Sequence, residues 1–455
     1  MTIMYVAFWG CTKTEMVPSK PQDDSTMFSE ENILEPWDIA PVISQSDQHI
    51  HFELRAQQKT HRIYKDDEEF EIAGYAYNAQ TPAPIFVAQK GQMLQVDFWN
   101  DLDVPTTVHW HGLKSPESMD GVPYVYDPIL PQQKFEIEIP LEQEGTFWFH
   151  PHYDTDRQVD LGLYGMLVVE DPETTKHPFL GYPKRFLVFD DWNLQHLLSD
   201  LEEHQSEHSH LYQEGIWLVN QMYMPQIIVD QPTIFHVVNA SNQGYLDIYW
   251  PNALWIGGEQ GYFGSYQEAN HIVLAPGDRI VVLDLGGNKT IERRPYSNHG
   301  GSTWEEPTTL FEIEGLEFER PTLMEEIENP SIDPQTTDAV LVFQGNPYTD
   351  SWYINGAQFP NVEPIRWKFG FTGVLEVRNL SPTEHPFHLH GLLFEVLSVD
   401  GIPPQQKQIE DTINVGIYQS VRLLITADNI GQWMAHCHIL PHGDGGMMTI
   451  FEVYE

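Results

Sequence analysis

The sequence predicts an all-β protein built from repeated β-sandwich units, and three observations carry that prediction. Short segments rich in Val, Ile, Phe, Tyr and Trp recur along the 455 residues, 32 glycines and 33 prolines punctuate them, and the first and last thirds repeat one pattern. Apolar residues at every second position bury one face of a strand, whereas a surface helix needs a period of about 3.6. A chain of this length accommodates two to four domains at about 100–200 residues each.

The chain begins MTIMYVAFWGC, a short apolar stretch with no basic residue before it and no Arg-Arg pair, so it falls short of a complete secretory signal. Phe8-Trp9-Gly10-Cys11 has the form of a degenerate lipoprotein box. Two readings follow: lipid attachment at Cys11, which implies an extracytoplasmic location, periplasmic or secreted, or a truncated or misassigned start. Either way a polar tail follows, and residues 1–45 are expected to lie outside the sandwiches.

The first unit is expected over 46–175, with strands at Met93–Trp99, Phe135–Ile139 and Gly165–Val169. The third, over 336–455, repeats it. Gly145-Thr-Phe-Trp-Phe-His150-Pro-His152 has the form of Gly431-Gln-Trp-Met-Ala-His436-Cys437-His438, and upstream LQVDFWNDLDVPTTVHWHGL (94–113) matches LEVRNLSPTEHPFHLHGL (375–392). A strand is also expected at Val421–Thr426. Self-similarity of this kind marks copies of one folding unit. Between them, over 183–320, TIFHVVNASNQGYLDIYW (233–250) keeps the strand pattern, with a strand at Thr233–Val238, but Tyr245–Trp250 has no His-x-His. Turn-rich linkers are read around 171–183 and 319–337.

Charge excludes some functions. With 67 acidic against 23 basic residues the net charge is −44, which offers little to replace the counterions of nucleic acid or of an anionic membrane. The acidic surface is either simply solvated or draws in cations such as copper ions. No apolar run approaches the roughly 18 residues that read as a membrane span. Two cysteines, Cys11 and Cys437, cannot build a disulfide framework.

Strand parity sorts the histidines. Residues two apart share a face and odd separations oppose. His436 and His438 therefore face one way and Cys437 the other. His109/His111, His150/His152 and His388/His390 are pairs of the same kind, while His385, three residues before His388, falls on the side of Cys437. Pro441 is expected to end the strand, letting His442 swing back toward the thiolate, with Met447 and Met448 close behind. Two imidazoles, a thiolate and a weak thioether suit a blue-copper electron-transfer centre.

His-Trp-His-Gly (109–112), His-Pro-His (150–152), His-Pro-Phe-His-Leu-His (385–390) and His-Cys-His-x3-His-x4-Met (436–447) together resemble the four copper motifs of the multicopper oxidases, over about residues 50–455. WFHPHYDTDRQVDLGLYGMLVVED (148–171) is most similar to the bacterial three-domain members, the periplasmic cuprous oxidases and bacterial laccases among them. The resemblance implies three cupredoxin-like Greek-key β-sandwiches and four copper ions. It places type 1 copper on His385, Cys437, His442 and Met447, and type 2 copper on His109 and His388. The type 3 pair would be held by His111, His150 and His438 and by His152, His390 and His436. It further implies that a small reducing substrate (a phenol, an aromatic amine or Cu(I)) gives single electrons to the type 1 site and that dioxygen is reduced to water at the other three coppers.

Proton delivery is where the chain departs from the pattern. Many bacterial relatives carry Glu directly after the last type 1 histidine; here that position is Gly443, followed by Asp444. Asp120, eleven residues after His109, stands where relatives place a carboxylate beside the type 2 copper. It is expected to be the principal acid, with Asp444 as a second member; capping of the Asp-Gly turn is the alternative use of Asp120. The methionine-rich insert of the cuprous oxidases is missing, since only Met434, Met447 and Met448 lie beyond residue 336. Instead His196, His204, His208 and His210 cluster among carboxylates, with His204 and His208 on one face if the segment is helical. That stretch is either a solvated acidic loop or an auxiliary copper-binding or gating element. The functional readings are a laccase-like oxidase, a metal-ion oxidase for copper tolerance, and a metal-free binding protein, which the complete ligand set disfavours.

Overall fold

The structure, a computed structural model, describes residues 32–171, 181–193, 215–299, 306–321, 328–347 and 349–455. Cys11 and the histidine-rich stretch 196–210 lie outside the described residues. Among the described residues the strands form six sheets, which fall into three successive pairs.

The expected strands are present with ends displaced by at most one residue: Met93–Asn100, Lys134–Pro140, Gly165–Glu170, Thr233–Asn239 and Ser420–Thr426. Alternation explains Met93–Asn100, which buries Leu94, Val96 and Phe98 and leaves Met93 exposed. Thr233–Asn239 is buried along its whole length, because structure covers both of its faces.

One topology recurs in each pair. His49–Lys65 runs parallel to Met93–Asn100, Lys184–Trp192 to Thr233–Asn239, and Ala339–Asn346 to Thr372–Asn379. In the companion sheets Phe86–Gln89 runs parallel to Gly165–Glu170, Gln226–Val229 to Thr308–Gly315, and Ile365–Lys368 to Met448–Tyr454. Each pair encloses an apolar core drawn from both of its sheets, as with Phe52 and Phe86, Phe235 and Phe311, and Leu423 and Phe451.

One polar residue repeats with the fold. Asn100, Asn239 and Asn379 each end a strand with the amide buried, and each Nδ2 donates to carbonyls of the loops beyond: Val104 and Ile129, Gly244 and Leu274, and Thr383, Val415 and Gly416. Buried backbone carbonyls need partners, so the asparagine fixes the entry to the next strand. In the first and last units that strand carries the histidines.

The units also pack on one another. Trp148, Val238 and Leu440, one from each, share a core cluster, and Tyr245 joins the core of the last unit.

Candidate metal centres

The two repeated motif pairs become two short antiparallel ladders. His109 stands opposite His150, and His388 opposite His436. The ladders face each other, with His109 Nε2 3.3 Å from His388 Nε2. His390 Nε2 and His436 Nε2 are 3.0 Å apart. All eight histidines are buried except His152, which is half-buried.

Most of these rings have one nitrogen committed to an oxygen. Nδ1 of His109 donates to the Asp120 carbonyl (3.0 Å), that of His150 to the Pro151 carbonyl (2.8 Å), and that of His436 to the Cys437 carbonyl (2.9 Å). His388 Nδ1 donates to the Asp411 carbonyl (3.0 Å), His111 Nδ1 to Asp411 Oδ1 (2.8 Å) and His390 Nδ1 to Asp120 Oδ2 (2.9 Å). An oxygen that only accepts fixes the proton on Nδ1 and leaves Nε2 with its lone pair. Burial first, then the neighbouring imidazoles, hold His111, His150, His152, His390 and His438 well below the ordinary histidine range, and His436 at about 3. They are neutral rings, the form that binds a metal.

The inward nitrogens lack partners. Nε2 of His111, His150, His152 and His438 is buried with no hydrogen-bond partner, an arrangement that costs free energy unless something occupies the space they face. His109, His111 and His150, His109, His388 and His390, and His152, His390 and His436 each bring ligand atoms within 4.8 Å of one another. His438 joins His111 and His150, with ring centroids 4.8 and 5.6 Å away. Donors of this type and number fit a cluster of copper ions.

A second set lies behind Cys437. Its Sγ is 3.4 Å from His385 Nδ1 and 3.8 Å from His442 Nδ1. The Ser381 hydroxyl, itself donating to the Thr383 carbonyl, accepts from His385 Nε2 at 2.7 Å, so the Nδ1 lone pair turns to the sulfur. Burial pushes the Cys437 thiol up and His385 down to about 3. A thiol so hard to ionise keeps its proton until a soft metal binds the sulfur and the proton is released to solvent. Met447 is fully buried in the core that contains Cys437, whereas Met448 is only partly buried, among Val122, Met434 and Ile450. The parity division of the histidines is therefore reproduced in space. Pro441 acts differently from expectation: the strand ends at Cys437, and Pro441 lies in the first turn of a short helix, Leu440–Asp444, that carries His442 back. A missing N–H costs nothing in a first turn.

Asp120 touches both ladders, with Oδ1 3.2 Å from His109 Nδ1 and Oδ2 2.9 Å from His390 Nδ1. Asp444 is placed elsewhere. It is exposed and faces the helix Thr155–Asp160, and no hydrogen bond or ion pair among the described residues joins it to a histidine.

Several further residues surround the sites. Trp352 stacks on His442 with centroids 3.5 Å apart, and its Nε1 donates to Asp350. Trp148 stacks on His150 at 4.3 Å. Asp411 serves His111 and His388, and Arg279, from the middle unit, serves Asp411. Trp148 sits inside a quoted motif and was readable as a neighbour; the others come from distant strands with no spacing to announce them.

Sandwich units that bring a His-Cys-His set and eight further histidines together define a copper-dependent redox protein. Family models described as multicopper oxidase match residues 58–174 and 331–455, more than half of the chain together. The chain belongs to the multicopper oxidase family. It is 29% identical over 417 residues to multicopper oxidase mco of Staphylococcus aureus, covering 88% of each chain. It is 23% identical over 499 residues to the laccase of Bacillus subtilis, covering 91% of this chain and 96% of that one. Among solved structures, a Campylobacter jejuni multicopper oxidase described as a metallo-oxidase superposes with a TM-score of 0.78 at 26% identity, over 93% of this chain and 95% of that one. The protein is thus a copper-dependent oxidase that uses dioxygen and a reducing substrate. Among the described residues no helix is long and apolar enough to cross a membrane.

Proposed function

We propose that the chain binds four copper ions, one of type 1 at His385, Cys437, His442 and Met447 and three at the eight histidines, and oxidises a phenolic or aromatic substrate in the manner of a laccase. The observation that carries the reading is Cys437, whose sulfur faces two imidazole nitrogens while its flanking residues His436 and His438 belong to the other cluster. When bound, the coppers supply one-electron oxidation of the substrate at the first site and four-electron reduction of dioxygen at the second. Within the second site His109 and His388 would hold the type 2 ion. The remaining six histidines would hold the type 3 pair.

The protein's own groups orient and insulate. Ser381 and Thr383 hold the His385 ring, Trp352 covers His442, and burial of Met447 keeps water from the sulfur side. Asp120 holds His109 and His390 and is the carboxylate placed to pass protons to the histidine cluster. An extracytoplasmic location is part of the proposal, on the strength of Phe8-Trp9-Gly10-Cys11.

Metal-ion oxidation is the second reading, favoured by the likeness to a metallo-oxidase and by the net charge of −44. Comparing turnover of a phenol with that of Cu(I) separates the two. The copper reading itself is tested by metal count and colour. Wild type should show a strong thiolate-to-copper band that Cys437→Ser abolishes, together with substrate oxidation, while the remaining coppers stay bound; a blue serine variant would refute the assignment.

A further inference from the structure

We propose that Arg279, carried by the middle unit, is a positioning residue for the trinuclear histidines and acts through Asp411. The inference rests on the copper reading above.

Arg279 begins the strand Arg279–Asp284, and its side chain is fully buried. Its NH1 lies 2.9 Å from Asp411 Oδ1, NH2 donates to Oδ2 of the same carboxylate, and NH1 also donates to Glu259 Oε1 at 2.7 Å. Nε donates to the Thr146 carbonyl at 3.0 Å. The guanidinium therefore clamps Asp411 in a two-pronged pair while gripping the strand Gly145–His150 that carries His150. Three units meet at one side chain.

Asp411 uses its other lone pairs on the histidines. Oδ1 is 2.8 Å from His111 Nδ1 and 3.1 Å from His388 Nδ1. Those rings come from the first and last units, and in the copper reading they belong to different metal types. The carboxylate thus fixes His111 directly and lies against His388, whose Nδ1 donates to the Asp411 carbonyl at 3.0 Å, so this one residue orients both rings. Glu259 supports it from behind, its Oε2 accepting the Asp411 N–H at 2.7 Å and the Thr412 N–H at 3.2 Å. A fully buried carboxylate needs a compensating charge at good geometry, and Arg279 is the one that meets it.

The glycine of His-Trp-His-Gly follows from the same contact. Gly112 has φ +83°, and a Cβ there would come within 2.4 Å of Asp411 Oδ2 and 2.7 Å of Arg279 NH2. The backbone after His111 passes so close to the ion pair that no side chain fits between them.

Removing the guanidinium leaves Asp411 as an uncompensated buried charge, which must move or be rehydrated, and either change releases His111 and His388. Partners that orient metal-binding histidines are worth about 10–100-fold in metal affinity. The test compares copper-loaded wild type, Arg279→Met and Arg279→Lys by copper count after dialysis against a chelator, by the type 2 electron paramagnetic resonance signal and by the blue band. Arg279→Met is expected to retain type 2 copper about 10–100-fold less tightly with a shifted type 2 signal and an unchanged blue band. Arg279→Lys should recover part of the loss. An unchanged type 2 signal in Arg279→Met overturns the inference. So does equal loss of all coppers in both variants, which marks a purely structural residue. If the methionine variant does not fold, the lysine variant decides: a shifted type 2 signal beside a normal blue band supports the role, and an unshifted one removes it. A wild type with neither signal would instead sink the copper reading.

Discussion

The Asp120 carboxylate lies 2.9 Å from His390 Nδ1, joining residues 270 positions apart across two units. It also meets His109 Nδ1 at 3.2 Å, so a single side chain faces both ladders. Asp120→Asn keeps the shape and the turn with Gly121 but removes the titratable group. Copper content and reduction of the type 1 site are expected to be normal, and steady-state turnover to fall roughly 10²–10⁴-fold, the scale of one positioned acid or base. Loss of copper would reassign Asp120 to holding imidazoles alone. Near-normal oxygen consumption would remove it from proton delivery.

The axial ligand is a question of register between adjacent methionines. Met447 is fully buried with Cys437, while Met448 stands opposite His436 and points into a separate cluster. A weak thioether donor tunes the potential of a blue-copper site. Met447→Leu should therefore raise the type 1 potential, measured by redox titration of the blue band, and Met448→Leu should leave it in place. The reverse result would shift the assignment by one residue.

The copper-binding histidines were legible because their information is local. Parity on a strand needs only i and i+2, and it separated His385 and Cys437 from the other histidines before any distance was known. Repetition of the motif in two thirds of the chain supplied the rest. Arg279, Glu259 and Asp411 were not legible: their contact joins strands from the middle and last units, and nothing in the spacing of an isolated Arg or Asp reports which surface it will meet. The middle unit reads as a copy without ligands, and its part in the site comes through charge. Pro441 was misread as the strand's end because proline fits the first turn of a helix as well as the close of a strand.

Asp190 gives a pH dependence outside the metal sites. Burial raises its carboxyl from 3.8 to about 7, although the indole of Trp192 and the hydroxyl of Tyr164 both donate to it. The folded state thus binds the proton more tightly than the unfolded chain. This group's contribution to stability is greatest at low pH, declines as pH rises from about 4 to about 7 and is level above. Asp190→Asn should flatten the melting temperature of the metal-free protein across that window relative to wild type. Parallel curves would show that Asp190 does not carry the dependence.

Position 443 offers a gain-of-function test of the proton route. Gly443 follows His442 in the helix Leu440–Asp444, and a Cβ built there lies 3.2 Å from the Cys437 carbonyl and 3.8 Å from His436 Nδ1. A side chain at this point therefore leaves the helix toward the histidine cluster, where the family resemblance implies a glutamate that assists proton delivery. Asp444, the next residue, faces the Thr155–Asp160 helix instead and does not substitute for it. The backbone at 443 is not in the left-handed region, so a larger residue meets no conformational barrier, and the 3.2 Å contact asks the neighbouring carbonyl to give only slightly. Gly443→Ala isolates that packing cost, and the better helix propensity of alanine offsets it by about 0.5–1 kcal/mol. Gly443→Glu adds the carboxyl. Asp411 also touches the cluster but is tied up in its ion pair with Arg279, so a glutamate added beside Asp120 is expected to raise turnover at saturating substrate by up to about 10²-fold, the lower end for a positioned acid, and to shrink the solvent deuterium isotope effect on oxygen consumption. A glutamate variant no faster than the alanine variant, with the isotope effect unchanged, would show that proton supply through this helix does not limit the enzyme.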